Sequence, residues 1–406
     1  MAKYWEAMMK KSVVSTISVS IFCVGVSTGS WAEASPLEWK NQDGTASFKV
    51  GGVIRVQDRY ESWPQSSNRG MGKLDFDVLR LDLKGTYDDF YLNSSFLLQD
   101  QEFTSIEKAY VGYKLNPHNS LEVGFVYKPF AIYPYPQNGW TYHLPFFLGY
   151  GNNIAPGLNW NYDDKNWDIK LGYYPSMLET NMRYSPESGS YDDLKNTFPN
   201  QKGYQNEKQN QVNARVVKKF DTTLGKQEVG LSGAISQLHN KITDDDGKYY
   251  ALGLHANSNL NQWNIQGSII HYQYDAKNPE GVDDRMTLMG TNGLTPSYLI
   301  ASEATVSSLN VSYTLPIKDM WKLKAIKFYN DFSYLDKTHT DWSASQMNTT
   351  GMMFIASPFM VWADYTWGKN ANIIGGSTNS TGYTTATSLN SDKWLYRVNL
   401  NFGFSF

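Results

Sequence analysis

The last stretch of the chain alternates between apolar and polar residues. Every second residue from Trp394 to Phe406 is apolar, while Arg397, Asn399 and Asn401 lie on the opposite face. A period of two indicates a β-strand with two chemically different faces. An apolar face that ends in aromatic residues is typical of a strand in contact with lipid, whereas a soluble edge strand this apolar would aggregate. We therefore expect this strand to belong to a closed transmembrane barrel.

An earlier strand repeats the pattern, and its charges decide the register. Phe48 and Ile54 share one face, and Lys49 and Arg55 share the other. A Lys or Arg that faces lipid at the bilayer midplane costs about 2–4 kcal/mol. Since a shift of one residue would exchange the two faces, Lys49 and Arg55 are predicted to point into the lumen.

Similar alternation recurs along the chain and predicts an all-β fold, a transmembrane antiparallel β-barrel of about 16 strands. The predicted segments are 48–59, 79–87, 90–98, 109–115, 121–127, 158–162, 167–173, 212–220, 229–235, 250–256, 263–269, 309–315, 326–332, 353–357, 359–367 and 394–406. Transmembrane strands of about 9–11 residues, joined by alternately short and long connections, fit this spacing. One barrel over residues 33–406 accounts for the mature chain.

The connections divide into two classes. Asp88-Asp89 and the turn from Asp163 to Asn166 are short and polar, and we expect them on the periplasmic side. The predicted outer loops are Ser62 to Gly70, Pro175 to Lys208, Asp275 to Pro296 and Lys369 to Ser391.

The stretch from Pro129 to Gly157 is long and rich in proline and aromatic residues. A loop of this length is usually functional or disordered, and its aromatic content argues against disorder. We expect it to fold into the barrel and narrow the pore, with Tyr133, Tyr135, Trp140 and Tyr142 as an aromatic surface for solutes. An external lid or a subunit contact is the alternative.

Charged residues on the inferred lumen faces are the candidate pore lining. They are Lys49, Arg55, Arg59, Arg80, Asp82, Lys84, Lys108 and Arg215, with Lys128 at the start of the long loop. Basic side chains around a pore favour anions. If these residues instead pair with Asp82 and other inward acids, the wall is polar with little selectivity.

Composition agrees with a barrel. Aromatic residues make up 15% of the chain and charged residues 18%, and the mean hydropathy is −0.48. No run of about 20 apolar residues follows the N-terminal segment, which excludes a multi-span helical membrane protein. Length alone would allow two or three soluble domains, but interleaved apolar and polar positions explain the averages better.

The N-terminus is predicted to be a secretory signal over residues 1–32, with cleavage after Ala32 or Ala34. Lys10 and Lys11 precede a weakly apolar stretch that contains Cys23, the only cysteine, so the mature chain is expected to have no disulfide. The net charge of −3 becomes more negative once this segment is removed. No basic stretch compensates, so nucleic acid is not an expected partner.

Enzymatic chemistry finds no support in the motifs. The six histidines do not lie at metal-ligand spacing, and neither a nucleophile elbow nor a phosphate-binding loop occurs. Asp244-Asp245-Asp246-Gly247 lacks the full calcium-loop pattern and is better explained as a hairpin turn. We expect no catalytic residues, no metal and no cofactor, and an outer-membrane enzyme or adhesin is the more distant alternative.

Three segments and the last strand resemble the phosphate-selective porin O and P family of Gram-negative outer membranes. The segments are FDVLRLDLKG (Phe76 to Gly85), IEKAYVGY (Ile106 to Tyr113) and VGFVYKPF (Val123 to Phe130), and the terminal Phe406 resembles the assembly signal of such barrels. One position departs from the family pattern, since Tyr127 stands where the family has a lysine and Lys128 follows it.

The resemblance implies a passive outer-membrane porin through which small hydrophilic solutes or ions diffuse. It also implies a homotrimer, contact with outer-membrane lipid and lipopolysaccharide, and recognition by the barrel-assembly machinery through the strand that ends at Phe406. Arginine is sparse for an anion-binding ladder, so anion or phosphate selectivity and sugar selectivity both remain open.

Overall fold

A computed structural model describes residues 37–63, 70–99, 102–175, 184–189, 201–290, 297–339, 342–371, 374 and 393–406. The predicted signal lies outside these residues. The strands are β1 (Leu37–Lys40), β2 (Ala46–Glu61), β3 (Asp75–Tyr87), β4 (Phe90–Gln99), β5 (Glu102–Asn116), β6 (Asn119–Tyr127), β7 (Ile154–Asp163), β8 (Trp167–Tyr174), β9 (Asn206–Thr222), β10 (Gly225–Asn240), β11 (Asp245–Leu260), β12 (Trp263–Asp275), β13 (Met286–Met289), β14 (Tyr298–Ala301), β15 (Glu303–Met320), β16 (Leu323–Lys337), β17 (Ser345–Ala356), β18 (Phe359–Lys369) and β19 (Leu395–Ser405). A short helix, α1 (Leu144–Phe147), and the 3-10 turns Pro186–Ser188 and Gln201–Tyr204 complete the elements.

Sixteen strands of the described chain close into one antiparallel barrel, which confirms the predicted fold. Neighbours in sequence pair with each other, β12 pairs with β15 across a long connection, and β19 pairs with β2. The seam continues to the last residue, because Phe406 and Gly52 exchange backbone hydrogen bonds of 3.1 and 2.9 Å. Closure leaves none of the sixteen barrel strands as an unpaired sheet edge.

The barrel is polar inside and apolar outside, as β12 illustrates. Asn264, Gln266 and Ser268 are buried toward the lumen, whereas Ile265 and Ile269 alternate with them on the exposed outer face. This inversion of the usual soluble arrangement is the signature of strands with lipid on one side and a polar lumen on the other. The predicted alternation is confirmed.

The register of β2 also agrees with the charge argument. Phe48 and Ile54 are exposed on the outer surface, while Arg55 lies inside, where it contacts Asp77 and the ring of Trp140. In β19, Phe402 is exposed outward and Asn401 is buried inward. The predicted orientation of β2, with its charges toward the lumen, therefore agrees with the structure.

Tight turns join the strands at one end of the barrel. In the turn between β7 and β8, Asp164 accepts hydrogen bonds from the Tyr162 hydroxyl and from the backbone amides of Asn166 and Trp167, each 2.7 Å long. These bonds, led by that from Tyr162, lower the pKa of Asp164 to about 2. The acidic turn residues thus serve local structure.

The connection between β12 and β15 differs from the sequence prediction. The stretch from Asp275 to Pro296 was expected to be an irregular outer loop, but this connection contains β13 and β14, which pair as a separate two-stranded sheet. All eight of their residues are buried. The strands are short, and seven of their eight residues are apolar or aromatic, so period-two alternation could not reveal them.

Candidate pore constriction

The long loop over residues 128–153, called here the constriction loop, runs inside the barrel between β6 and β7. Its tip is held by two aspartates of the opposite wall. Asp331 on β16 accepts hydrogen bonds from the backbone amides of Asn138 and Gly139, at 2.8 and 2.7 Å, and from the side-chain amide of Asn138, at 2.8 Å. Asp364 on β18 accepts a hydrogen bond of 2.7 Å from the backbone amide of Thr141.

The first half of the loop is fixed to the walls at other points. Arg215 on β9 donates from Nε to the carbonyl of Ala131 at 2.8 Å, and the amide of Ala131 donates to Ser232 on β10 at 3.0 Å. Further along, the side-chain amide of Asn310 on β15 donates to the carbonyl of Pro136 at 2.5 Å. Since these strands lie around the barrel, the loop crosses the lumen, which confirms an inward fold rather than an external lid.

An aromatic cluster supports the second half of the loop. Tyr142 stacks on Phe146 of α1 with ring centroids 3.9 Å apart, and Phe146 in turn contacts Phe147 and Tyr184. The hydroxyl of Tyr298 on β14 donates to the carbonyl of Phe147. The buried β13–β14 hairpin therefore packs against the loop and fills this side of the lumen.

His143 lies within this packing with no solvent exposure. Burial lowers the pKa of His143 to about 4, so its ring is neutral at physiological pH. A neutral imidazole behaves as a packing residue here.

The other side of the loop faces a wall of basic side chains. The ring of Tyr133 lies between two cations, with Lys170 Nζ 5.7 Å and Arg215 Cζ 5.4 Å from its centroid. Lys108 Nζ lies 5.8 Å from the ring centroid of Tyr127. Aromatic faces attract cations at these distances, so the rings and the basic residues form one continuous surface.

Carboxylates are interleaved with these cations. Arg80 pairs with Asp82 at 3.0 Å and lies 3.9 Å from Glu107. Glu107 also accepts hydrogen bonds from the hydroxyl of Tyr135 and from the side-chain amide of Asn152, the latter at 2.8 Å. The loop is thus tied to the charged wall as well as to the opposite side.

Two more ion pairs orient basic residues beside the loop. Arg215 pairs with Asp168 on β8 at 2.6 Å, and Arg55 pairs with Asp77 at 3.1 Å. The guanidinium of Arg55 also stacks on Trp140, with Cζ 3.9 Å from the ring centroid. Trp140 therefore serves to fix the loop against β2.

The remaining predicted lining residues have other surroundings. Lys49 pairs with Glu38 of β1 at 3.2 Å, and Arg59 pairs with Asp75 at 3.0 Å. Lys84 is exposed on β3. Lys128, the first residue of the constriction loop, is buried, and its ammonium group donates a hydrogen bond to the side-chain carbonyl of Gln211 at 3.0 Å.

Sequence reasoning missed three residues of the charged wall. Asp168 and Lys170 lie on the polar face of β8, and Glu107 lies beside Lys108 on β5. The alternation of β8, with Trp167 and Ile169 facing outward, contained the signal for the first two. Glu107 directly precedes Lys108 and did not fit a simple period of two, because β5 has an irregular register with β4 in this region.

Other kinds of site are not found in the part of the chain described. Among those residues, no group of three or more His, Cys, Asp or Glu side chains could hold a metal ion. Nor does any helix there have the length and apolar character needed to cross a membrane.

Solved structures with the same fold are outer-membrane barrels. The outer-membrane channel DcaP of Acinetobacter baumannii is 12% identical, with a TM-score of 0.57 over 91% of this chain and 99% of that one. The anion-selective porin of Comamonas acidovorans is also 12% identical, with a TM-score of 0.55 over 89% and 100%. The outer-membrane protein OmpT of Vibrio cholerae, in its trimer form, is 11% identical, with a TM-score of 0.52 over 89% and 100%.

No family model matches the chain, and no curated protein sequence matches it. The structural likeness therefore establishes the fold of a Gram-negative outer-membrane barrel. The finer resemblance to phosphate-selective porins remains a prediction.

Proposed function

We propose that this protein is a passive outer-membrane channel for small hydrophilic solutes, with a preference for anions. The observation that carries the proposal is the position of the constriction loop. Its tip is bonded to Asp331 and Asp364 on one side of the barrel, and its first half contacts the charged wall of β3, β5, β8 and β9 on the other side. A polar passage narrowed in this way sorts solutes by size and charge.

The apolar exterior supports the location. Leu254 and Ile269 are more than half exposed on the outer face, at 53% and 54%. Such side chains are stable in contact with lipid, and a barrel satisfies its backbone hydrogen bonds without water. Assembly as a homotrimer is part of the proposal, supported by the trimer form of OmpT, which shares the fold.

The anion preference rests on a comparison of the partners of the carboxylates with the partners of the lysines. Asp82 accepts hydrogen bonds from Ser95 and Arg80, and Asp168 accepts one from Arg215. Lys108 lies over the ring of Tyr127, which neutralises an ammonium group less than a carboxylate does. Lys170 lies over the ring of Tyr133 and 3.7 Å from Asp168, a carboxylate that it shares with Arg215. The field in the passage is therefore expected to be positive beside the loop.

Recordings in planar bilayers test the proposal. Purified protein should give stable ohmic steps, and a salt gradient should give a reversal potential of the sign for anion preference. Lys170→Glu should move that potential toward cation preference, while Lys165→Glu, in an exposed turn at the end of the barrel, should leave it unchanged. Absence of steps contradicts the channel, and an unmoved potential in Lys170→Glu contradicts the charge assignment. Adding inorganic phosphate to the same recordings tests phosphate preference through current block.

A sugar-selective channel is the second candidate, favoured by the tyrosines of the passage. Tyr127 and Tyr133 have ring centroids 6.3 Å apart and border the charged wall. Tyr142 and Trp140, however, pack against Phe146 and Arg55, so the aromatic surface is smaller than the sequence suggested. Concentration-dependent block by maltodextrin, without block by phosphate, would favour the sugar channel.

A further inference from the structure

A small, partly open cavity lies under the start of the constriction loop. It is lined by residues of the loop and of β9, β11 and β12. The centre of a water-sized particle can occupy a volume of about 10 Å³ in it. That is room for one particle of the size of a water molecule.

Two lysines border this cavity and are nearly completely buried. Lys128 is 4% exposed and Lys208 is 5% exposed. The ammonium of Lys128 donates to Gln211 Oε1 at 3.0 Å, and that of Lys208 lies 5.0 Å from the ring centroid of Tyr249. A buried ammonium group normally has a carboxylate beside it.

No carboxylate is among the described residues that line the cavity. Glu187, in the 3-10 turn Pro186–Ser188, is the nearby acid whose charge acts on both lysines. Its oxygens are directed elsewhere, since one accepts the backbone amide of Lys208 at 2.8 Å and the other accepts the hydroxyl of Ser185. When both lysines are protonated, the described lining of the cavity therefore carries an excess of positive charge.

This excess is costly without a counter-charge. Burial and, secondarily, the charge of Lys208 hold the pKa of Lys128 well below its usual range. Two like charges in a medium of low dielectric repel each other strongly. A negative guest between them would offset both the repulsion and the loss of hydration.

We propose that this cavity binds one small monovalent anion of the size of chloride, held between the ammonium groups of Lys128 and Lys208. Tyr249 and Tyr274 line the same space, and the hydroxyl of Tyr249 also lies 3.3 Å from that of Tyr150. The size of the space excludes phosphate and carboxylate solutes. This anion is a structural ligand rather than a transported one.

The anion would fix the start of the constriction loop. Lys128 is the first residue after β6. Its backbone amide donates a hydrogen bond of 2.9 Å to the carbonyl of Asn153, at the end of the loop. An ion shared with Lys208 therefore links both ends of the loop to β9. The proposal does not depend on which solutes pass through the channel.

Diffraction with bromide in place of chloride tests the site directly. Crystals of the full chain are grown in bromide, at concentrations down to that of physiological chloride, and anomalous scattering locates the ion. We expect a bromide peak between Lys128 and Lys208 in the wild type and in the control Lys165→Met. The peak should be lost in Lys208→Met and in Lys128→Met.

The maps also show whether the constriction loop keeps its place in each variant, so a displaced loop is recognised. Lys208→Arg, which retains the charge, should keep the peak. A water molecule without anomalous signal, a peak that persists in Lys208→Met, or binding at crystal concentration only would overturn the proposal. Because diffraction requires no transport, a negative result here leaves the channel function to be judged separately by the bilayer recordings.

Discussion

Asp331 holds the tip of the constriction loop through three hydrogen bonds, two of them from backbone amides. Hydrogen bonds to an ionised group each contribute about 1.5–3 kcal/mol, and they are not additive. Asp331→Ala is therefore expected to weaken docking of the tip by about 3 kcal/mol or more. Single-channel recordings should show a larger conductance and more current noise.

Asp221→Ala is the matched control for this prediction. Asp221 is exposed at the end of β9, where its strand partner is Lys226 of β10. Its conductance and noise should match the wild type. If Asp331→Ala has the same conductance and noise as Asp221→Ala, Asp331 does not hold the tip of the loop.

His143 gives the docked loop a dependence on pH. The group is a base whose pKa falls from 6.5 to about 4 on burial, so the docked state favours the neutral ring. As the pH falls below 6.5, the undocked ring gains a proton first, and docking weakens until about pH 4. The full effect is about 3 kcal/mol, from 1.36 kcal/mol per pKa unit.

Current noise measured between pH 7 and pH 4 checks this prediction. The wild type should become noisier over that range, and His143→Leu, which cannot be protonated, should lose the dependence. His239→Gln removes a partly exposed histidine near the end of β10 that contacts Asp246 of β11, and it should behave like the wild type. A pH dependence that survives in His143→Leu would assign the effect to other groups.

The individual site residues were only partly predictable from the sequence. Alternation placed Arg55, Arg80, Lys108 and Arg215 inside the barrel, because a charge facing lipid is costly. Nothing in the sequence could show that Lys128 is buried or that Trp140 packs on Arg55, since both depend on where the loop docks. Those contacts are set by tertiary structure.

At the scale of elements, the loop and the wall approach each other closely enough for a covalent test. A Cβ built at Gly139 would lie 3.0 Å from Cγ2 of Thr349 on β17. The only cysteine of the chain is Cys23, within the predicted signal. The pair Gly139→Cys and Thr349→Cys should therefore form a disulfide on mild oxidation, with geometry in the normal range.

Loss of free thiols, measured by alkylation and mass spectrometry, checks this bond. Conductance should stay close to that of the reduced protein, because the disulfide fixes a position that the loop already has. The pair Gly139→Cys and Thr222→Cys, with the second cysteine at the last residue of β9, should stay reduced. Free thiols in the first pair would mean that the loop tip lies away from β17.

Elements differ in how much of them the sequence reveals. All sixteen barrel strands carry alternation, because each has lipid on one side and the lumen on the other. All eight residues of β13 and β14 are buried, and only Thr287 among them interrupts the apolar and aromatic run, so the two strands show no alternation. Strand prediction from alternation works only where two environments differ.

At the scale of the whole molecule, stability depends on the match between the outer surface and lipid. Ile269 is at the middle of β12, points outward and is 54% exposed. Gln273 lies on the same face near the end of the strand, where it accepts a hydrogen bond from the hydroxyl of Tyr250. The two positions therefore sample the midplane and the rim of the same surface.

Ile269→Arg is expected to lower the free energy of unfolding from lipid vesicles by about 2–4 kcal/mol, and Gln273→Arg by about 0–1 kcal/mol. The difference arises because an arginine at the rim reaches headgroups and water, whereas one at the midplane does not. Reversible urea unfolding in vesicles measures both values. Equal losses of unfolding free energy at the two positions would contradict the placement of β12 across the bilayer. On a surface that faces water, an added arginine would cost the same at both positions.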